Sequence, residues 1–214
     1  MDKVVLLSGL VSLPLACWAQ EARPAKSPYV GAKLSVQTGR PFNEYFGTRF
    51  GPALTLGAHL KPRLALELNA AYNWQHSVYH GSYSTNVGLV VEDNDTYVHT
   101  LTMPLLLRAT LTKSAGPWHV DAVFGPTLFI YFTHRNYQQT TQGQPTNSEN
   151  TTYAEHQVSL TLGPSVRYTL TPQIDLVVDA LANLNISGFP YTFVAPVSSQ
   201  LSSHVLAGVH YRFR

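Results

Sequence analysis

Eight segments of about ten residues, most alternating apolar and polar side chains, are joined by short turns that alternate with long polar connections. An even number of such segments, with long connections on one side and short ones on the other, fits a transmembrane β-barrel better than a soluble sandwich. The clearest segment places Leu64, Leu66, Leu68, Ala70, Tyr72 and Trp74 on one face and Ala65, Glu67, Asn69, Ala71, Asn73 and Gln75 on the other. That is the period-2 signature of a strand with one apolar side. The seventh segment repeats it, with Ile174, Leu176, Val178, Ala180, Ala182 and Leu184 opposed to Asp175, Val177, Asp179, Leu181 and Asn183. So does the eighth, where Val205, Ala207, Val209, Tyr211 and Phe213 oppose His204, Leu206, Gly208, His210 and Arg212. The other five are expected over residues 29–37, 50–60, 97–111, 118–133 and 156–170, with noisier alternation in the fourth and fifth.

The short connections are Lys61-Pro62-Arg63, TKSAGP at 112–117 and Thr171-Pro172-Gln173, all rich in turn formers. The long ones run over residues 38–49, 77–96, 135–155 and 185–202, and are expected to be loops. An all-β, eight-stranded, antiparallel, up-and-down transmembrane β-barrel follows, with both chain ends and the three short turns on one side.

Residues 1–19 read as a cleavable signal peptide: Lys3, the apolar run VVLLSGLVSLPLA, then small residues up to Ala19. The run is too short to cross a bilayer as a helix, and cleavage would remove Cys17, the single cysteine. A rival reading makes Cys17 the acylated first residue of a lipoprotein, although Pro14 stands where such processing usually wants leucine. Residues 20–28 form a short lead, and the barrel occupies 29–214.

Only 12% of residues are charged and 11% are aromatic, a composition poorer in charge than ordinary soluble domains. The net charge of +2 points to neither nucleic acid nor an acidic partner. Outside the signal segment no apolar run is long enough for a membrane helix.

The charges decide which face meets lipid. With the apolar faces outward, the inner rows carry Lys33, Arg108, Arg167 and Arg212 with Glu67, Asp121, Asp175 and Asp179, four of each sign. The opposite orientation would put eight charges among acyl chains, where a basic residue at mid-depth costs about 2–4 kcal/mol. On the outward rows, Phe50, Tyr72, Trp74, Tyr97 and Phe132 gather near the long-connection ends, and Trp118, Tyr168, Tyr211 and Phe213 near the short-turn ends. Two aromatic girdles flanking an aliphatic band are what the two headgroup regions select. Pro52, Pro104, Pro126 and Pro164 fall inside the expected strands, where each removes a backbone donor, so bulges or strand ends are expected there.

The alternation, together with TLTMPLLLRATL at 100–111, LTPQIDLVVDAL at 170–181 and the final HVLAGVHYRF, resembles the small outer-membrane β-barrel domain proteins that carry the porin-family label, of the eight-stranded OmpA/OmpX-like kind. The resemblance covers roughly residues 28–214 and implies insertion into the Gram-negative outer membrane by the barrel-assembly machinery, with the last strand as sorting signal. Such signals usually finish on an aromatic residue; here Phe213 is followed by Arg214.

Eight strands enclose an interior just wide enough for side chains, so at most a narrow pore is expected, whatever the family label. The expected role is structural, or the display of surface loops such as GSYSTN and NYQQTTQGQPTNSENTTY, by a monomer without catalytic, cofactor or metal sites. The rival from another class is a lipid A-modifying enzyme, for which His156 with Ser159 and His76 with Ser77 are the candidate pairs. Their odd separations put each pair on opposite faces of a regular strand. A rim metal site drawn from His76, His99, His134, His156 and His204 is a further alternative, without any ligand-spacing motif behind it. A narrow porin for small solutes, and a soluble lipocalin-like carrier with inverted polarity, complete the alternatives.

Overall fold

The computed structural model describes residues 27–38, 47–112, 116–187 and 201–213. The signal segment, the alternative Cys17 site and Arg214 lie outside them, as do most of the connections expected over 38–49 and 185–202 and part of the 112–117 turn. Eight strands are present: β1 Pro28–Thr38, β2 Thr48–Lys61, β3 Leu64–Thr85, β4 Gly88–Thr110, β5 Trp118–Thr141, β6 Gln144–Thr171, β7 Ile174–Asn185 and β8 Leu201–Arg212. Each pairs with its sequence neighbour, and β8 returns to β1 from Tyr29↔Arg212 to Thr38↔Ser203, so the sheet closes and no barrel edge is left unpaired.

Side-chain alternation follows the expected faces. Along β3, Ala65, Glu67, Asn69, Ala71 and Asn73 are buried inside, and Leu66, Leu68, Ala70, Tyr72 and Trp74 are exposed outside. β7 repeats this, with Asp175, Val177, Asp179, Leu181 and Asn183 buried and Leu176, Val178, Ala180 and Ala182 exposed. The large exposed apolar side chains, including Leu34, Leu54, Leu66, Leu68, Leu105, Leu162, Val178 and Val205, form a continuous outer surface that only a non-aqueous surrounding would favour. Leu68→Arg is therefore expected to lower the stability of the protein refolded in lipid vesicles by about 2–4 kcal/mol. A urea midpoint equal to that of the unaltered protein would exclude Leu68 from the lipid-facing surface.

Two expectations are corrected. Residues 77–96 and 135–155 are not loops: β3 and β4 continue to a two-residue turn at 86–87, and β5 and β6 to one at 142–143. The arms also pair with each other, as in Asp93↔Gln138 and Asp95↔Asn136, so a four-stranded sheet stands above the barrel. The β5–β6 turn uses left-handed backbone at Gln142 (φ 54°) and Gly143 (φ 78°), the geometry whose twist matches an antiparallel hairpin. Gln142 Nε2 donates to Val87 O at 2.5 Å, joining the two tips.

The second correction concerns the prolines. The register shifts lie at His59/Lys61, Gln139/Thr140 and Thr169/Thr171, none of them at these four prolines. Pairing lapses for two residues beside Pro52, Pro126 and Pro164 and resumes in the same register, for instance from Phe50↔Trp74 to Ala53↔Ala71. Each of these prolines follows a glycine, in FGPALTL, FGPTLFI and LGPSVRY. A Cβ on Gly51 would stand 1.8 Å from Tyr72 O, one on Gly125 2.0 Å from Leu105 O, and one on Gly163 1.9 Å from Ala180 O. Continuing the register sets Pro52, Pro126 and Pro164 opposite those same three residues. The neighbour's carbonyl meets a residue without an N–H and occupies the space that only glycine leaves empty. The strand thus keeps its register by giving up a side chain instead of inserting a bulge.

Candidate functional site

The barrel interior holds the most highly organised chemistry in the chain. Lys33 from β1, Glu67 from β3, Arg108 from β4, Asp121 from β5, Arg167 from β6, Asp175 and Asp179 from β7 and Arg212 from β8 all point inward and join one network. Lys33 Nζ donates to Glu67 Oε1 at 2.9 Å and to Asp179 Oδ2 at 2.8 Å. Arg108 faces the same two acids, with Nε to Glu67 Oε2 at 2.8 Å and Nη2 to Asp179 Oδ1 at 2.9 Å, closing a four-membered ring of alternating charge. From that ring Arg108 Nη1 reaches Asp121 Oδ2 at 3.0 Å. Asp121 accepts Arg167 Nε at 2.7 Å, and Arg212 Nη2 donates to Asp175 Oδ1 at 2.7 Å. Arg167 Nη1 stands 3.8 Å from Asp175 Oδ2, which links the two halves.

Neutral donors fill the remaining lone pairs. Tyr29 donates to Glu67 Oε2 at 3.0 Å, Asn69 Nδ2 to Glu67 Oε1 at 3.0 Å, Thr110 to Asp121 Oδ1 at 2.7 Å and Thr169 to Asp175 Oδ1 at 2.8 Å. Thr55 in turn donates to Asn69. Side chains of Lys33, Glu67, Arg108, Asp121, Asp175 and Asp179 are no more than 2% exposed. Burying a charge is tolerable only with this density of partners, since the loss of hydration is several kcal/mol per ion. The inner row also contains an apolar cluster of Ala53, Ala71, Leu106, Val123, Leu181 and Leu206. Leu106 lies across the ladder from Glu67, and Leu206 across from Asp179, so hydrocarbon packs beside the ion pairs.

Toward the hairpin end the interior turns neutral and polar. Ser35 Oγ is 2.7 Å from Asn73 Oδ1 and 2.6 Å from His204 Nε2, and Thr161 donates to Asn183 Oδ1 at 2.6 Å. Arg49 is an inner charge that the sequence pattern misses, because residue 49 falls in an expected loop. It is buried, donates to Thr100 Oγ1 at 3.2 Å and stacks 5.5 Å over the Tyr131 ring. Its parity with Gly51, Ala53 and Thr55 on β2 is the signal that could reveal it.

The outward aromatics fall into groups by end. Trp74 lies 5.6 Å from Phe50 and 6.1 Å from Tyr72, and Tyr97 is stacked on His76 at 4.1 Å. Trp118 lies 4.7 Å from Tyr168, and Tyr211 5.3 Å from Phe213, near the short turns. Phe132 is exposed on β5 among the first group.

The histidines separate. His204 is buried inside, whereas His76 pairs with Asp95 at 2.6 Å, His99 with Tyr72 at 2.7 Å and His134 with Thr152 at 2.9 Å. Among the described residues no group of three His, Cys, Asp or Glu side chains is placed to hold a metal ion. His156 is exposed and Ser159 is buried in the interior, so their side chains lie on opposite faces of β6. His76 and Ser77 are both exposed, as neighbours on the β3 arm.

On the sheet above the barrel, Tyr83 and Tyr137 both donate to Glu92 Oε1, at 3.0 and 2.9 Å. Those bonds hold both phenols above the usual tyrosine range, because ionisation would set a phenolate against a carboxylate. Arg135 donates to Asn94 Oδ1 at 3.1 Å and lies 5.4 Å over the Tyr137 ring.

Comparison with known proteins agrees with this architecture. A major outer membrane protein from Thermus thermophilus superimposes with a TM-score of 0.57 at 17% identity, over 89% of this chain and 100% of that one. Neisserial surface protein A gives a TM-score of 0.46 at 14% identity, again over 89% of this chain and 100% of the other. At 17% identity the likeness to the Thermus protein is one of fold. No curated protein matches the sequence. The family model described as "Outer membrane protein beta-barrel domain" matches residues 4–213. With nearly its whole length covered by that model, the chain belongs to the outer membrane protein β-barrel domain family.

Proposed function

We propose that this protein is a closed, monomeric scaffold of the outer membrane that carries its four-stranded sheet to the cell surface as an interaction platform. It is neither a diffusion channel nor an enzyme, and its bulk partners are outer-membrane lipid and the assembly machinery that inserts it. The observation that carries this reading is the eight-membered charge network, which draws side chains from seven of the eight strands into the lumen and leaves its acids no more than 2% exposed. A pore that conducts needs mobile water along its axis, and the buried ion pairs of Lys33, Glu67, Arg108 and Asp179, packed beside Leu106 and Leu206, supply none.

The refolded protein in planar bilayers is expected to show no stepwise conductance, and an epitope inserted at 86–87 is expected to be accessible to antibody on intact cells. Steady ohmic current, or an epitope detected only after the outer membrane is breached, would overturn the proposal.

A further inference from the structure

The four-stranded sheet above the barrel differs in charge from the rest of the chain. Residues 75–98 and 133–157 contain Glu92, Asp93, Asp95, Glu149 and Glu155 against a single Lys or Arg, Arg135, in a protein of net charge +2. The two faces of the sheet use these acids differently. On one, Asp93 pairs with His80 at 2.5 Å and Asp95 with His76 at 2.6 Å. The other face continues the inner wall of the barrel, by the alternation that buries Asn73, Thr100, Thr133 and Ser159, and carries Tyr79, Tyr83, Glu92, Tyr137, Glu149 and Tyr153. Glu92 accepts from the hydroxyls of Tyr83 and Tyr137, and Glu149 from that of Thr151 at 2.8 Å. Among the described residues neither carboxylate has an ion-pair partner, so both keep their charge uncompensated on an exposed surface.

The tyrosines of that face are open to a partner: Tyr79, Tyr83 and Tyr153 are 59%, 46% and 45% exposed. A Cβ on Gly81 would stand 2.5 Å from Tyr79 Oη, so the Tyr79 ring leans across the space that the glycine leaves. Tyr83 is held by its bond to Glu92 and by Gln139 Nε2 at 3.3 Å. The face already takes one guanidinium in this setting, since Arg135 lies 5.4 Å over the Tyr137 ring and donates to Asn94. Aromatic rings beside carboxylates favour cations, and a guanidinium above an ammonium, because it both stacks and donates in a plane. We infer that this face docks a cationic polypeptide segment, whose Arg or Lys side chains take Glu92 and Glu149 as counter-charges and Tyr79, Tyr83 and Tyr153 as stacking surfaces. The inference rests on the surface-platform reading for the side from which the partner arrives.

The test titrates the refolded protein, in non-ionic detergent, with a fluorescent peptide of alternating glycine and arginine and with its glycine-glutamate counterpart, followed by anisotropy. Saturable binding of the arginine peptide, weakened by salt, is expected, with none of the glutamate peptide. Glu92→Gln combined with Glu149→Gln leaves amide oxygens that still accept from the same hydroxyls, and weakens binding about tenfold. Tyr79→Leu weakens it about threefold through lost stacking. Asp93→Asn, on the opposite face, leaves it unchanged, and heat-modifiable gel migration verifies that each variant is folded. Both ends of the barrel are accessible in detergent, so the result is independent of the epitope experiment: a hidden epitope with binding retained overturns surface display alone. The docking inference is overturned if the arginine peptide does not saturate, if both peptides bind alike, or if the folded double variant or Tyr79→Leu keeps full affinity. A loss in Asp93→Asn equal to that of the double variant overturns it as well, because binding would then follow total charge and not this face.

Discussion

Arg108→Met lowers the stability of the lipid-refolded barrel by about 3–5 kcal/mol, the range expected when one partner of a buried ion pair is removed and its counter-charges stay behind. No other side chain in the network bears on as many acids. Its guanidinium reaches Glu67, Asp121 and Asp179, and donates to Ser165 Oγ at 2.5 Å as well. Without it, Asp179 keeps Lys33 as its cationic partner among the described residues, and the interior holds one net negative charge more than before. Arg108→Lys recovers little, because an ammonium is a point donor and cannot span three carboxylates. Arg212→Met makes an instructive contrast: its side chain is 28% exposed and meets one carboxylate, so a loss on the order of 1 kcal/mol is expected. Urea unfolding in vesicles, followed by tryptophan emission, measures each difference. If Arg108→Met unfolds at the midpoint of the unaltered protein, the network does not stabilise the barrel.

The second large effect is steric. Gly51→Ala, Gly125→Ala and Gly163→Ala each drive a methyl group to within 2 Å of a carbonyl oxygen on the adjacent strand. Neither atom belongs to a flexible side chain, so the strands must part locally, at a cost of about 3 kcal/mol or more per site. Gly143→Ala is the control. Nothing lies within 4 Å of a Cβ there, and only the left-handed backbone (φ 78°) is penalised, by about 1–2 kcal/mol, at a hairpin tip remote from the barrel. The pattern to look for is loss of folded, heat-modifiable protein at the three Gly-Pro steps with near-normal yield at Gly143. Equal yields at all four positions would show that the close carbonyls move aside freely.

The parts of the architecture legible in the sequence are those where two solvents compete for a strand. Residues 64–74 alternate because one face meets hydrocarbon and the other a polar interior, and the same holds for β7 and β8. Above the bilayer both faces of a strand meet water and the selection for alternation disappears. Residues 77–96 and 135–155 are therefore indistinguishable from loops in the sequence, although they are regular ladder. The noise in the fourth and fifth segments has a specific source. Leu106, Val123 and Phe129 point inward, where an alternation-based reading expects polar side chains.

The identities of the inner charges can be read from parity alone, but their partners cannot. Lys33 and Asp179 are 146 positions apart, and the bond between them exists only because closure and strand tilt bring β1 beside β7 across the lumen. The Gly-Pro recurrence is visible as text in three segments, yet its meaning depends on the neighbouring strand's carbonyl, which no single-strand pattern reveals.

The wiring of the ion pairs also bears on how the molecule can assemble. Lys33 sits on the first strand and Asp179 on the seventh, with Arg212 on the eighth, so no growing hairpin can complete the set before the termini meet. Until that moment Lys33 and Asp179, which meet only across the lumen, keep part of their hydration, and a partly inserted sheet must remain in touch with water. Sealing the β1–β8 seam then expels that water and engages the pairs that reach between strands not adjacent in sequence, Lys33 with Glu67 and Asp179 and Arg108 with Asp179, which makes the final zip a latch on the hairpin pairs already in place.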